Sequence, residues 1–489
     1  MARITQRLAV RGMLVLLVAS AVIAQTPIDR TQPPRPGPAP SLRLPEIEKH
    51  RLANGLPVLL VEQHEVPVAV VNLLIRSGAS SDPLAPRRLA GLAQLTVTLL
   101  SHGAGGRKAL EIADEVDYLG ATLATGAGWD SSAVRLFTPV ARLQPALEIF
   151  ADVALRPTFP GEELNRVRKE VLTGFLQERD EPSALASAAS LRGLYGAAHR
   201  YGVDIDGDAP SVRAITRSDI EAFHQTHYSP ENATCLVVGD VSAATVLPLL
   251  EKTLGEFRGP TPPAGEQADV PQVKRREILL VDKPGAAQSE LRFSRIGAAR
   301  ATPDYFVLEV LNTILGGSFT SRLNDNLREK HGYSYGAGSS FALRRGPGPF
   351  VAAAAVHTEV TDQAVAEVVK ELTRIRQPVS AEELERARNY LLLGYPAEFE
   401  TTSQIAAKLA ELALYDLPDD FFNHYPERIR AVTVEDVERV ARAYIDPERT
   451  LIAVVGDRKA IEPGLRKLGL GPLRVLSVDE ILGKPEAGS

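Results

Sequence analysis

The stretch Val237-Val238-Gly239-Asp240 recurs as Val454-Val455-Gly456-Asp457, at an offset of 217 residues. A shared offset over several unlike residue types indicates an internal duplication, with each copy forming one structural unit. Three other matches support it: Thr216-Arg217-Ser218-Asp219 with Thr433-Val434-Glu435-Asp436, Pro230 with Pro447, and, at an offset of 220, Glu162-Glu163-Leu164 with Glu382-Glu383-Leu384.

Each copy mixes strand and helix signals. Val68 to Ile75 is an apolar run rich in β-branched residues, typical of a buried strand. Arg87 to Ser101 places leucines at helical spacing, and Ser380 to Leu393 begins with the capping-box pattern Ser380-x-x-Glu383. Because strands and helices do not alternate strictly, the sequence predicts an α+β fold with two homologous halves, each a mixed or antiparallel sheet flanked by helices.

The composition of the N-terminus and of the Pro-rich segments predicts a signal peptide and the domain boundaries. Arginines precede an apolar stretch, Met13 to Ala24, which is shorter than the roughly 20 residues that span a membrane. This pattern predicts a secretory signal peptide and no transmembrane segment after its cleavage. The predicted order is a signal peptide at 1–24, a Pro-rich tether at 25–45, an N-terminal half at 46–258, a linker at 259–275, a C-terminal half at 276–465 and a tail at 466–489.

The overall composition is that of an ordinary globular protein, with 44% hydrophobic and 24% charged residues. A formal net charge of −6 argues against nucleic acid as a partner, since nucleic-acid binding usually requires a basic surface. The single cysteine, Cys235, cannot form an internal disulfide and lies in an apolar run, so we expect a buried structural thiol.

The stretch Gly91-Leu92-Ala93-Gln94-Leu95-Thr96-Val97-Thr98-Leu99-Leu100 resembles the signature helix of the pitrilysin/insulinase family of zinc peptidases. Active members carry His-x-x-Glu-His there: the two histidines share a helix face and bind zinc, and the glutamate takes a proton from zinc-bound water. Here these positions are Gln94, Val97 and Thr98. The family's third ligand, a glutamate, would fall at Gly174 or Phe175. The sequence therefore predicts no metal site and no catalytic residue of its own.

Other histidines could in principle rebuild a metal site. His102 ends the same helix and is expected to cap it. His224 and His227 form an i, i+3 pair, but no third ligand or base accompanies them in the sequence. We expect this pair to be surface histidines.

The second half keeps a different feature of the family. Gly316-Gly317 leads into Leu327-Arg328-Glu329-Lys330-His331-Gly332-Tyr333-Ser334-Tyr335, which resembles the family's C-terminal half. The resemblance implies that Arg328 and Tyr335 contact substrate near the zinc, and that the Gly316-Gly317 loop touches substrate as well. The alternatives are an Arg328 paired with a surface carboxylate, a Tyr335 buried in the core and a simple turn at the glycines.

The resemblance covers residues 46 to 460 and implies two α/β-roll halves that close like a clamshell. It further implies a non-catalytic, substrate-binding subunit in the periplasm, acting on peptides or unfolded segments. Its partner in a heterodimer would be a homologous subunit bearing His-x-x-Glu-His and the zinc. Two alternatives stay open: a structural or chaperone-like scaffold, and a metallopeptidase with relocated ligands.

Overall fold

Two six-stranded sheets form the framework of the protein in a computed structural model that describes residues 44–263 and 272–484. These residues belong to one compact unit of the chain. Both sheets are mixed: the first contains one parallel pair of strands and the second contains two, and the other strand pairs are antiparallel. The predicted α+β fold with two homologous sheet-bearing halves is confirmed. The predicted signal peptide and most of the Pro-rich tether lie outside the described residues.

The first sheet has the strand order β1-β2-β8-β3-β7-β6, so that β6 is an edge strand whose one neighbour among the described strands is β7. Its long apolar strands β3 and β8 lie at the centre and are almost wholly buried. The strands are β1 (Glu48–Arg51), β2 (Pro57–Glu62), β3 (Val68–Ile75), β6 (Thr122–Ala127), β7 (Ser132–Pro139) and β8 (Ala233–Gly239), with a small separate ribbon of β4 (Gly103–Ala104) and β5 (Arg107–Lys108).

The first half contributes eight helices among the described residues. They are α1 (Leu92–Leu99), α2 (Ala109–Tyr118), α3 (Leu143–Leu155), α4 (Gly161–Glu178), α5 (Pro182–Tyr195), α6 (Ala209–Ala214), α7 (Arg217–His227) and α8 (Ala243–Leu254).

The second sheet has the order β11-β12-β10-β13-β9-β14, and β11 is its counterpart of the edge strand β6. The strands are β9 (Glu277–Asp282), β10 (Gln288–Ile296), β11 (Ala337–Phe341), β12 (Pro349–His357), β13 (Leu451–Gly456) and β14 (Leu473–Leu476). The helices are α9 (Tyr305–Leu315), α10 (Arg322–Asn324), which continues as a π-helix over Asp325–Lys330, α11 (Thr361–Arg374), α12 (Ala381–Gly394), α13 (Thr402–Tyr415), α14 (Phe421–Ala431), α15 (Val434–Tyr444), α16 (Arg458–Lys467) and α17 (Val478–Leu482).

The duplication is visible in individual hydrogen bonds. Thr216 and Asp219 form a capping box at the start of α7, and Thr433 and Asp436 form the same box at the start of α15. In both copies the threonine Oγ1 accepts a hydrogen bond from the aspartate N–H, and the aspartate carboxylate accepts one from the threonine N–H. The repeated residues therefore recur because each copy needs the same helix start.

One helix of each half packs on the sheet of the other half. Helix α5, from the first half, lies against β10 and β13, and its duplicate α13 lies against β3 and β8. Buried side chains of α5 and α13 contribute to apolar clusters with the opposite sheet. This exchange couples the two halves, since each sheet is covered in part by the other half.

A cluster of aromatic and charged side chains also joins the halves. The Arg344 guanidinium lies 4.1 Å from the ring centre of Trp129 and 4.5 Å from that of Tyr201. Buried Asp130 accepts hydrogen bonds from the Arg345 N–H at 2.9 Å and from the Tyr415 hydroxyl at 3.1 Å. Such cation–π contacts gain strength when water is excluded, so the cluster stabilises the arrangement of the halves.

The C-terminal segment differs from the predicted tail. Residues 473–476 form β14, which pairs in parallel with β9 at the edge of the second sheet. Helix α17 then packs against α5, and Ile481 is buried there. The segment folds because Leu473, Val475 and Ile481 supply apolar side chains to an edge strand and a helix that the sequence analysis had not recognised.

Cys235 lies in the middle of β8 and is fully buried. Burial raises the pKa of its thiol to about 12, in agreement with the expected structural thiol. In the described part of the chain, every helix is too short or too polar to cross a membrane.

Candidate functional site

Helix α1 carries the degenerate zinc motif and is held at its first turn by a buried carboxylate. Asp82 accepts hydrogen bonds from the N–H groups of Gly91 and Ala93, both at 2.8 Å. These N–H groups have no partner within the helix, and a negative charge is favoured at this end of the helix dipole. Asp82 thus takes the place of a capping residue, although it lies nine residues before Gly91.

Arg200 joins this carboxylate to a loop formed by residues 200–208. Its Nε lies 3.0 Å from Asp82 Oδ2, and its other nitrogens donate to the carbonyls of Val203, Asp204 and Ile205. The two side chains are 6% and 0% exposed. Burial raises the pKa of Asp82 to about 6, against the opposing effects of Arg200 and of the two helix N–H groups. The pair therefore anchors the loop against the start of α1.

The residues at the three motif positions make internal contacts. Gln94 donates to Asp206 Oδ1 at 2.9 Å, and its side-chain oxygen accepts the N–H of Ala127 at 3.3 Å. Val97 is buried in the core of the first half, with 1% exposure. Thr98 is exposed. Gln94 consequently bridges the 200–208 loop, helix α1 and the end of edge strand β6.

Zinc does not fit this arrangement. Both ends of the Gln94 amide are engaged, Val97 has no group that binds metal or accepts a proton, and Thr98 offers only a neutral hydroxyl. Structural and catalytic zinc sites use imidazole, thiolate or carboxylate ligands. The predicted third-ligand position, Gly174 or Phe175, lies on α4 and supplies none of these. Across residues 44–263 and 272–484, no three His, Cys, Asp or Glu side chains are grouped so that they could hold a metal ion.

Sequence reasoning missed the acidic residues beside Gln94. Burial, followed by the proximity of Asp204, raises the pKa of Asp206, and the same two causes raise the pKa of Glu178 on α4. The run Asp204-Ile205-Asp206-Gly207-Asp208 was visible as an acidic loop, but it lies about 110 residues from Gln94 in the chain. Sequence spacing alone carried no sign that the two would meet.

The other histidines have structural roles. His102 Nδ1 lies 2.7 Å from the Thr98 carbonyl, which supports its predicted capping role. The expectation of surface histidines at 224 and 227 is wrong: His224 bonds to the Ala154 carbonyl at 3.0 Å and His227 to the Ser77 hydroxyl at 3.0 Å. Burial lowers the pKa of both rings, to about 4 for His227. They are partly buried because α7 turns this face toward α3 and the end of β3.

The buried His227 ring predicts a loss of stability in mild acid. Its folded pKa of about 4 lies below the unfolded value near 6.5. The unfolded chain therefore takes up the proton first, so stability is complete above pH 6.5 and declines as the pH falls from 6.5 to 4. We expect a loss of about 3 kcal/mol at pH 4 from this ring. Denaturant unfolding of the wild type and of His227→Gln across that range measures it.

In that experiment the stability difference between the two proteins should change with pH, in favour of the variant as the pH falls. The exposed His357, whose ring has no hydrogen bond among those described, provides the matched control His357→Gln. A difference between wild type and His227→Gln that stays constant from pH 8 to 4 would contradict the burial effect.

Arg328 and Tyr335 both reach the surface of the second half. Arg328 lies in the π-helix, a feature that often marks functional sites. Its guanidinium is 4.8 Å from the ring centre of Phe319, its Nε is 3.3 Å from a Glu329 oxygen, and its side chain is 41% exposed. Tyr335 is 82% exposed, which rules out the alternative that it fills a core. The contact with Glu329 is the surface ion pair of the alternative for Arg328, and both Arg328 and Tyr335 stay exposed to solvent.

Gly316 and Gly317 end helix α9 at a close approach to strand β11. The Gly316 carbonyl accepts the Ser339 N–H at 3.1 Å, and a Cβ at Gly316 would lie 2.2 Å from that nitrogen. A Cβ at Gly317 would lie 2.7 Å from Asn312 Nδ2. The structure thus requires glycine at this turn for steric reasons, and a substrate contact there stays a prediction.

The two groups of predicted site residues lie on separate halves. Gln94, Val97 and Thr98 belong to α1. In the second half, Gly316 follows the end of α9, Arg328 lies in the π-helix, and Tyr335 follows that helix. Among the described residues, no hydrogen bond or ion pair links one group to the other. Gln94, Val97 and Thr98 offer neither an imidazole nor a carboxylate, whereas Arg328 and Tyr335 are exposed on the other half.

Two family models, both of M16 peptidases, match successive parts of the chain. The model described as "Insulinase (Peptidase family M16)" matches residues 57–194, and the one described as "Peptidase M16 inactive domain" matches residues 214–391. The first match includes α1 with its altered motif, and the second includes Arg328 and Tyr335.

Relatives over most of the chain are named as peptidases. An uncharacterized zinc protease of Mycobacterium tuberculosis is 26% identical over 414 residues, 84% of this chain and 93% of the relative. The probable mitochondrial-processing peptidase subunit beta of Arabidopsis thaliana is 24% identical over 430 residues, 85% of this chain and 79% of the relative.

Solved structures show the same fold. A peptidase M16 inactive domain from Pseudomonas fluorescens superposes with a TM-score of 0.78 at 28% identity, covering 84% of this chain and 98% of that one. A protease from Helicobacter pylori gives a TM-score of 0.77 at 22% identity, covering 84% and 100%. With matches to both halves of the duplication, the chain belongs to the insulinase, or M16, family of peptidases.

Proposed function

We propose that this chain is the non-catalytic, substrate-binding subunit of a heteromeric zinc peptidase of the insulinase type, acting on peptides or unfolded segments. The observation that carries the proposal is a contrast between the two halves. In the first half, Gln94 at one motif position is hydrogen-bonded to Asp206 and Ala127, and Val97 at another is buried in the core. The second half presents Arg328 and Tyr335 to the surface.

These two side chains have the chemistry that peptide-bond cleavage by a second chain would use. An arginine keeps its charge and offers several donors to a peptide carbonyl. A tyrosine hydroxyl can donate to the oxygen that becomes negative as water attacks the carbonyl carbon. Neither side chain supplies a nucleophile or a metal ligand, so zinc and its activated water must come from a partner subunit that carries His-x-x-Glu-His.

Edge strand β6 offers a second means of holding a peptide. In the part of the chain that the structure describes, it pairs with β7 alone, and its residues alternate between exposed and half-buried. The Ala127 N–H points away from β7 toward Gln94, so the backbone groups of Thr125 and Leu123 also point to the free side. An extended peptide can add to such an edge through main-chain hydrogen bonds, which is compatible with a broad range of sequences.

The names of the relatives support the proposal. One relative is named as a subunit of a processing peptidase and others as zinc proteases, which fits a family whose members include both multi-chain and metal-bearing enzymes. We further propose that residues 1–24 direct export and that the mature chain works in the periplasm.

Metal analysis of the purified chain tests the non-catalytic part of the proposal. We expect far less than one zinc per chain after chelator-free purification, and no hydrolysis of unstructured peptides by the isolated chain. Stoichiometric zinc together with peptidase activity would favour the alternative of relocated ligands. A chain that neither cleaves peptides nor affects cleavage by any partner would instead be a structural or chaperone-like scaffold.

A further inference from the structure

The second half contains a cavity of about 410 Å³ beside Arg328. It lies between the end of α9, the π-helix and helices α11 and α12. The residues that line it include Ser318, Phe319, Thr320, Tyr390 and Glu371 of α11. The volume is sufficient for one large side chain of a bound peptide.

Glu371 is a buried carboxylate whose two oxygens differ in their hydrogen-bond partners. Its side chain is 2% exposed. One oxygen, Oε1, accepts hydrogen bonds from Asn326 Nδ2 at 2.8 Å and from Arg374 Nη1 at 2.7 Å. The other, Oε2, is buried and has no hydrogen-bond partner among the described residues. A buried charged oxygen without a donor is costly, so a ligand that brings a donor to this oxygen would be favoured.

The basic side chains that line the cavity are already paired with carboxylates. Arg322 binds Glu383 through two contacts, the shorter at 2.7 Å, and Lys330 lies 2.5 Å from Asp325. Arg386 lies 3.7 Å from Glu382, and Arg374 is engaged by Glu371 itself. Because each of these cations has a carboxylate partner, an incoming anion would meet no unpaired cation in the cavity.

Two aromatic rings that line the cavity suit a long basic side chain. Phe319 is 62% exposed and Tyr390 is 55% exposed, although both are large apolar residues. The Arg328 guanidinium already lies over the Phe319 ring, which shows that this ring can receive a cation. The methylene stem of a lysine or arginine can pack along such rings while its head group reaches a carboxylate.

We propose that this cavity binds a lysine or arginine side chain of a peptide, whose head group donates a hydrogen bond to Glu371 Oε2. The inference rests on the proposed substrate-binding function and adds a preference for peptides with a basic residue. Phe319 and Tyr390 contact the stem of that side chain. The neighbouring residues of the peptide then lie beside Arg328.

Peptide binding to the isolated full chain tests this proposal without any partner. The probes are two fluorescent, capped peptides of serine, glycine and leucine, one with a single lysine and one with norleucine at the same place. Norleucine keeps the stem and lacks the ammonium group. We expect the lysine peptide to bind about tenfold more tightly in fluorescence anisotropy. Its ammonium group forms a hydrogen bond with the Glu371 carboxylate, which norleucine cannot form.

The variant Glu371→Gln should remove this preference, and Glu65→Gln, at an exposed position on the first half, should keep it. Thr320→Lys is a second test that leaves Glu371 intact: its ammonium group would compete for the cavity and weaken binding of the lysine peptide alone. Equal binding of both peptides by the wild type would overturn the inference while leaving the proposed function in place. If neither peptide binds, the inference and the proposed peptide binding both fail.

Discussion

Replacing Arg200 with alanine is expected to lower the free energy of unfolding by about 3–5 kcal/mol, because it leaves Asp82 as a buried charge without its ion-pair partner. The two side chains are 6% and 0% exposed, and Arg200 also binds three carbonyls of the 200–208 loop. The loss should be smaller at pH 5 than at pH 8, since Asp82, whose pKa is already raised to about 6, can then become neutral. Chemical denaturation at both pH values measures the effect.

A surface ion pair provides the control for this prediction. Arg217 lies 2.8 Å from Glu221 on α7, with side chains that are 54% and 39% exposed. Exposed pairs of this kind contribute about 0–1 kcal/mol, so Arg217→Ala should change stability little. An effect of Arg200→Ala no larger than that of Arg217→Ala would show that Asp82 and Arg200 do not anchor the start of α1.

The second large effect is expected on catalysis by the complex. When the chain is assembled with its zinc-bearing partner, Arg328→Ala should lower kcat/KM for an unstructured peptide by about 100-fold, the usual cost of removing one donor to the developing negative charge. Tyr335→Phe should also lower kcat, because only the hydroxyl is lost. The zinc content of the complex should not change, since neither residue binds metal.

Arg142→Ala is the matched control for Arg328→Ala, because Arg142 is an exposed arginine on the first half with no side-chain bond among those described. It should leave the activity of the complex unchanged. If Arg328→Ala and Tyr335→Phe also leave activity unchanged in an intact complex, these residues do not act on substrate and the scaffold alternative gains support.

Much of the fold was predictable because the duplication repeats local signals. Thr216 with Asp219 and Thr433 with Asp436 recur because both helices begin with the same capping box, and Gly239 and Gly456 recur at the ends of equivalent strands. The altered motif was equally clear, since the identities of Gln94, Val97 and Thr98 can be read directly from the sequence. These features depend on neighbouring residues, which periodicity and capping rules describe well.

The features that escaped prediction depend on contacts between distant parts of the chain. Nothing in the pattern of α5 or α13 indicates that each lies on the opposite sheet, because an apolar helix face fits either sheet. Asp82, Arg200 and Asp206 meet around α1 only after the loop 200–208 folds back over it. The edge strand β14 is short, and its pairing with β9 depends on a parallel register set by tertiary structure.

The central claim is that this chain serves a catalytic partner, and isolation of the tagged chain from its native host tests it most directly. We expect a homologous subunit with His-x-x-Glu-His to copurify in equal amount, together with a peptidase activity that chelators abolish and that Arg328→Ala lowers. Recovery of a homodimer, or of an unrelated complex without peptidase activity, would contradict the account.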